Sequence, residues 1–305
     1  MSLLRAAFYG FAIGDAMGVP YEFIPREIIA FDPATGMSGY GSHKQPPGTW
    51  SDDTTFMLCV LENLLDNGTQ RTLRNKMRQC YREGYLTPHG NLFDIGRATS
   101  LGINATNRHS HDPLNQGNGS LMRCLPYAFR KDIRKSLYEM LFDNNITHYN
   151  SLCNLCCIFY VRLARALLEG SDPNEAMQVA GAYLRFGWRI TDIADHKPYY
   201  DSFSRIMNKT FSALPEEAII SSGHVIKTLE AVCWCLLNTS NYKDAILKAV
   251  NLGNDTDTIA ALTGGLAGIV YGIEGIPNDW LNTLNNKTLI ENLLERTNQY
   301  DMYLP

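Results

Sequence analysis

The chain lacks any uncharged apolar run long enough to span a bilayer. The longest, Ile259 to Ile273, falls short of the roughly 20 residues that a crossing helix needs, and its Gly and Ala content predicts a closely packed buried helix with no membrane partner. The start, Met1-Ser2-Leu3-Leu4-Arg5, lacks the basic-then-apolar order of a secretory leader. Net charge is also scarce: 27 basic residues against 31 acidic give −4, so no basic surface for nucleic acid is expected. The eight cysteines lack the paired C-x-x-C arrangement of a zinc ribbon. They fall in apolar helical patterns, such as Cys153, Cys156 and Cys157, and read as reduced core residues of a cytoplasmic protein. Gly117-Asn118-Gly119-Ser120 lacks the Gly-Lys-Ser/Thr ending of a Walker loop and does not follow a strand. No alternating strand pattern and no linker-like shift in composition occur anywhere.

What is present is helical periodicity over a chain that is 45% hydrophobic, enough for a large core. The pattern predicts helices over Ser2 to Gly18, Ser51 to Asp66, Leu73 to Tyr85, Phe93 to Leu101, Thr147 to Glu169, Pro173 to about Phe186, His224 to Leu237, Tyr242 to Leu252, Thr256 to Tyr271 and Asp279 to about Thr297. A further one is expected to follow Gly119 through Leu121-Met122-Arg123, and a short one near Arg26 to Ala30. The expected fold class is all-α: a single orthogonal helical bundle over residues 1–305, with a metal site at one end. Gly10, Gly14 and Gly18 recur every four residues in the first helix. Glycine costs a helix about 1 kcal/mol each, so close helix–helix contact or close approach to a ligand is expected there. The Pro- and Gly-rich segment from Ile24 to Thr49 reads as a loop that covers a site, and 188–215 shows no clear period.

Two acidic knots stand out. Ser51-Asp52-Asp53-Thr54 opens one apolar helix and Asp255-Thr256-Asp257-Thr258 opens another. Acids and hydroxyls at a helix start cap its free amides and favour its dipole, but a cap needs one acid and each knot has two. Carboxylate and hydroxyl oxygens are hard ligands that select magnesium, manganese or calcium over zinc. Asp255 and Asp257 point apart in a regular helix, so they converge only where a loop turns into a helix, as Gly253-Asn254 allows. The expectation is that the fold brings the two knots together around divalent ions. His109, His111 and Asp112, in a polar loop, are weaker metal candidates. The Gly117-to-Ser120 loop offers backbone amides to an anion.

These segments, in this order, resemble the ADP-ribosylglycohydrolase family. The resemblance spans most of the chain and is carried by Gly14-Asp15-Ala16-Met17-Gly18 through Tyr21-Glu22, Gly48-Thr49-Trp50-Ser51-Asp52-Asp53-Thr54, Gly117-Asn118-Gly119-Ser120-Leu121-Met122-Arg123, Thr147-His148 and Gly253-Asn254-Asp255-Thr256-Asp257-Thr258. It implies an all-helical fold with a pair of divalent ions, Mg2+ or Mn2+, held by Ser51, Asp52, Asp53, Asp255, Asp257 and Thr258. Asp52, Asp53 and Glu22 become the catalytic candidates. Gly117, Asn118, Gly119, Ser120, Met122, Arg123 and His148 match positions lining an ADP-ribose. Ser51 stands where many members have Thr, which keeps the hydroxyl, and Asn254 where many have Gly, which keeps access to a left-handed backbone.

The implied activity is hydrolysis that removes ADP-ribose from a modified protein side chain, arginine first, through an oxocarbenium-like state. Paired ions fix the ribose hydroxyls and acidify a bound water that attacks the anomeric carbon, with one of the three carboxylates positioning or deprotonating it. The partner is then an ADP-ribosylated protein. Two alternatives share the scaffold: hydrolysis of small conjugates such as O-acetyl-ADP-ribose, and ADP-ribose binding without turnover.

Overall fold

A computed structural model describes residues 2–105, 115–190 and 197–297. His109, His111 and Asp112 lie outside the described residues. Fourteen α-helices occur among them: α1 (Ser2–Gly18), α2 (Arg26–Ile29), α3 (Asp52–Leu65), α4 (Gln70–Glu83), α5 (Arg97–Asn104), α6 (Ile133–Asn144), α7 (Ser151–Leu168), α8 (Pro173–Ile190), α9 (Lys197–Ser204), α10 (Val225–Leu237), α11 (Tyr242–Asn251), α12 (Thr256–Tyr271), α13 (Asn278–Thr283) and α14 (Lys287–Arg296). No strand forms among the described residues, only isolated bridges between Tyr40 and Gln45 and between Gly117 and His224. The all-α expectation holds.

The bundle is built on α1 packed lengthwise against α12, its most extensive helix pair. Small residues make this possible. A methyl added at Gly14 would fall 2.0 Å from the Ala260 carbonyl oxygen, and one at Gly18 would fall 2.4 Å from the Asp257 Cα. The four-residue glycine spacing is therefore a contact groove between helices. Every residue of α3 is buried, as is α12 from Thr256 to Ile269. The buried apolar side chains of α1, α3, α7, α10, α11 and α12 form one continuous cluster. α7 is long and apolar enough to cross a membrane by length and composition, but 89% of it is buried within the protein.

Four helix expectations are corrected. α5 starts at Arg97, not Phe93, so Leu92–Gly96 is free to line a cavity. No α-helix follows Gly119: the chain turns, and Pro126 opens only a short 3-10 segment, Leu125–Phe129. α7 is capped by Asn150, whose Oδ1 accepts from the Leu152 and Cys153 amides, so Thr147 and His148 precede it. The single helix expected from Asp279 is two, divided around Asn286 at φ +43°. There Asn285 donates its backbone amide to Gly48 O (3.0 Å) and its side-chain amide to Pro47 O (2.9 Å). Tying down that loop offsets the break in the helix. α6 is an addition to the expected helices. Ile133, Leu137, Met140 and Leu141 give it one apolar face, and Asp132 caps it by accepting from the Lys135 amide.

Candidate active site

The two acidic knots meet because three local devices bring them to the same end of the α1–α12 pair. The first is Asp15 on α1, fully buried, which accepts from the Ser51 amide (2.9 Å), the Thr54 amide (2.9 Å) and the Thr54 hydroxyl (2.6 Å). It thereby satisfies orphan donors at the N-terminus of α3, while Ser51 Oγ accepts from the Asp53 amide. The second is the turn into α12. Gly253 and Asn254 both take positive φ, +75° and +58°, as the loop-to-helix requirement predicts. The third is a backbone clasp. The Phe23 amide donates to Asn254 O (2.7 Å) and the Asn254 amide to Ile24 O (2.8 Å), pinning the Glu22 segment beside the second knot.

The outcome is a convergence of carboxylates. Oxygens of Asp15, Asp53 and Asp257 lie within 4.8 Å of one another, and so do oxygens of Glu22, Asp255 and Asp257. A third group joins Glu22, His43 and Asp94. His43 Nε2 is hydrogen-bonded to Glu22 Oε2, and the ring stands 5.8 Å from that of Phe23 and 5.2 Å from that of Phe93. Asp255 Oδ2 accepts from the Asn118 side-chain amide at 2.7 Å.

This much negative charge in one buried place raises the carboxyl pKa values. Burial comes first for each, and neighbouring carboxylates add to it. Glu22 is pushed up to about 8 by burial and the Asp255 charge, Asp94 to about 7 by burial and Glu22, and Asp255 to about 6 by burial and Asp94. Asp52, Asp53 and Asp257 are raised well above the ordinary range by burial, then chiefly by the charges of Asp53, Asp15 and Glu22 respectively, and Asp15 is raised by burial. Asp53 Oδ2 and Asp257 Oδ2 are buried with no hydrogen-bond partner. A buried carboxylate oxygen without a donor is costly, and these two oxygens sit in one group of three acids. Hard oxygen donors, a deficit of positive charge and unpartnered buried oxygens together fit divalent cations of the magnesium or manganese kind.

Above the cluster lies a cavity of about 1080 Å³. Glu22, Asp52, Asp53, Asp255 and Thr258 form its acidic end, Gly117–Gly119 with Met122 and His148 one wall, and Leu92–Thr99 another. Several sequence-selected residues therefore reach the cavity and several do not. Ser51, whose Oγ also caps α3, and Asp257 lie buried beneath the acidic end. Ser120 and Arg123 are buried behind the loop; Arg123 donates to Gly119 O (3.0 Å) and supports that wall from behind. His148 is buried, hydrogen-bonded through Nδ1 to the Thr147 hydroxyl (2.8 Å), and held neutral with its pKa lowered to about 3 by burial and then by Arg123. The loop is also close-fitting: a methyl on Gly119 would lie 2.8 Å from His148 Cε1.

Sequence reading missed His43 and Asp94 and gave Asp15 no role. Asp94 lies within a stretch whose pattern imitates a helix, yet it adopts φ +64° and turns into the cavity wall. Nothing in its neighbours signals that backbone. His43 follows Gly41 in a 3-10 turn of the Pro- and Gly-rich segment, and only its place in a suspected covering loop could have drawn attention to it.

The family model for ADP-ribosylglycohydrolase matches residues 2–303. The chain is 32% identical to the ADP-ribosylarginine hydrolase Tri1 of Pseudomonas putida (strain GB-1), over 97% of this chain and 79% of that protein. It is 28% identical to the ADP-ribosyl-[dinitrogen reductase] glycohydrolase of Rhodospirillum rubrum, over 92% of this chain and 90% of that protein. A solved structure described as an ADP-ribosylglycohydrolase-related protein complex superimposes with a TM-score of 0.80 at 28% identity, covering 99% of this chain and 98% of that one.

Proposed function

The chain belongs to the ADP-ribosylglycohydrolase family, and from that premise we propose that it removes ADP-ribose from modified arginine side chains of proteins. It is an ADP-ribosyl glycohydrolase, an enzyme that hydrolyses a glycosidic bond. The observation that carries the arginine reading is the pairing of the buried acidic cluster with a cavity large enough for a nucleotide sugar, in a chain 32% identical to a relative named as an ADP-ribosylarginine hydrolase. Incubation with ADP-ribosylarginine and magnesium or manganese is expected to release ADP-ribose. No release from arginine, serine or acetyl linkages with either ion would remove this reading.

We assign two divalent ions, Mg2+ or Mn2+, to Ser51, Asp52, Asp53, Asp255, Asp257 and Thr258. When bound they supply the positive charge that orients ribose oxygens and acidifies water. The protein's own residues do the rest. Gly117–Gly119, Met122 and His148 form the wall against which the nucleotide lies, and His148, kept neutral, offers a ring nitrogen without adding charge. Glu22 and Asp52 face the cavity, and each can take a proton from the attacking water. Glu22 is held on two sides, by His43 at its carboxylate and by the Ser42 hydroxyl at its backbone carbonyl (2.5 Å).

A stability prediction follows from the raised carboxyl pKa values. Glu22, Asp94 and Asp255 hold protons more tightly folded than unfolded, where carboxylates titrate near about 4. Their contribution is present below that value and is lost as pH rises through about 6 to about 8. EDTA-treated protein should therefore melt at progressively lower temperature from pH 5 to pH 8. Saturating magnesium or manganese should raise the pH 8 melting temperature by about 5 °C. A metal-free melting temperature that is flat over this range would contradict the charge crowding.

A further inference from the structure

A second cavity, of about 680 Å³, adjoins the first, and Ser221 and Asn254 line both. Asn254 immediately precedes Asp255 of the acidic cluster, so the partition between the reacting centre and this groove is a thin one. The groove has an apolar floor of Ile29 and Ile219, both buried, beside Ile220, which is 50% exposed. Its rim is acidic: Glu27 and Glu217 are exposed and Glu216 is half-buried. Two cations stand at this groove, and each is already engaged there. Arg26 spends its guanidinium on the carbonyls of Leu252 (3.1 Å), Glu216 (2.7 Å) and Ile219 (2.6 Å). Lys248 lies 4.0 Å from Glu216 and over the Trp234 ring.

We propose that this groove docks the polypeptide flanking the ADP-ribosylated arginine, and that it selects segments carrying lysine or arginine beside an apolar residue. The proposal rests on the arginine reading above. A protein substrate with its ADP-ribose in the first cavity must lead its backbone away across the mouth, and the groove borders that cavity at Ser221 and Asn254. Exposed carboxylates over an apolar floor complement a cationic, partly apolar strand, and such rim charges act on encounter and specificity more than on the chemical step. The arrangement also gives this acidic chain a means of telling one modified arginine from another.

The test compares three substrates: free ADP-ribosylarginine and two peptides of equal length carrying it centrally, one flanked by lysines and one by glutamates. Wild type is expected to favour the lysine-flanked peptide by about tenfold in kcat/KM at low ionic strength, mainly through KM. The preference should shrink in about 0.5 M salt. The double variant Glu27→Gln/Glu217→Gln should lose most of it while hydrolysing free ADP-ribosylarginine at the wild-type rate. Equal rates on the two peptides, with the free compound still consumed, overturn the groove and leave the arginine reading standing. A preference that survives in the double variant overturns it equally. No turnover of any of the three substrates removes the arginine reading and the groove with it.

Discussion

Replacing Asp257 with Asn is expected to lower kcat/KM on ADP-ribosylarginine by about a thousandfold or more, while making the EDTA-treated protein more stable at pH 8. The two effects have one cause. Asp257 is fully buried, sits against oxygens of Asp15, Asp53, Glu22 and Asp255, and has one oxygen without a donor. Its charge is tolerable only where positive charge is brought to it. Amide for carboxylate keeps the shape and removes the repulsion, so the metal-free fold gains. The same exchange weakens a hard anionic ligand, and a thousandfold loss corresponds to about 4 kcal/mol of transition-state stabilisation, within what such a centre supplies. Steady-state kinetics with added manganese, and melting curves in EDTA, read the two effects separately. Activity above about a tenth of wild type would remove Asp257 from the proposed ligand set. If the variant does not fold, Asp52→Asn serves as the second probe: Asp52 also belongs to the crowded cluster but faces the cavity.

The convergence of the two acidic knots was legible in sequence because residue type and spacing coincide there. Paired acids at two helix starts, with Gly253-Asn254 before the second, signalled hard ligands and a turn, and the structure places the two knots side by side. The long amphipathic helices were legible too, because burial of one face imposes a 3.6-residue period. What stayed hidden depends on backbone conformation and long-range closure. Asp94 reaches the cluster through a positive φ that no local residue demands, and Asn286 breaks a helical pattern because Asn285 is needed by Pro47 and Gly48. The resemblance put Arg123 among the positions lining an ADP-ribose; its side chain is buried and donates to Gly119 O, behind the wall. Asp15 was visible among the glycines, yet only the packing of α1 against α3 reveals it as the anchor of the Ser51 knot.

Gly14→Ala is expected to lower stability by about 2 kcal/mol or more. Two opposing terms decide this. In the interior of α1 alanine improves helix propensity by about 1 kcal/mol. Against that, the added carbon would lie 2.0 Å from the Ala260 carbonyl oxygen and 2.5 Å from its carbon. Both are backbone atoms of a buried helix, with no flexible side chain to move aside, so α1 and α12 must separate along their length. The effect reaches the site, since one turn further Gly18 packs on Asp257 and the Thr256 hydroxyl donates to Gly18 O at 2.8 Å. Separation there carries Asp255 and Asp257 away from Asp53, so metal-dependent stabilisation and turnover should fall along with the melting temperature. Gly36→Ala is the control: its methyl would meet only Trp280 Nε1, at 3.9 Å, and a change within about 0.5 kcal/mol is expected. Should the two variants melt alike, α1 and α12 do not approach as closely as Gly14 implies, and the acidic corners lose the scaffold that unites them.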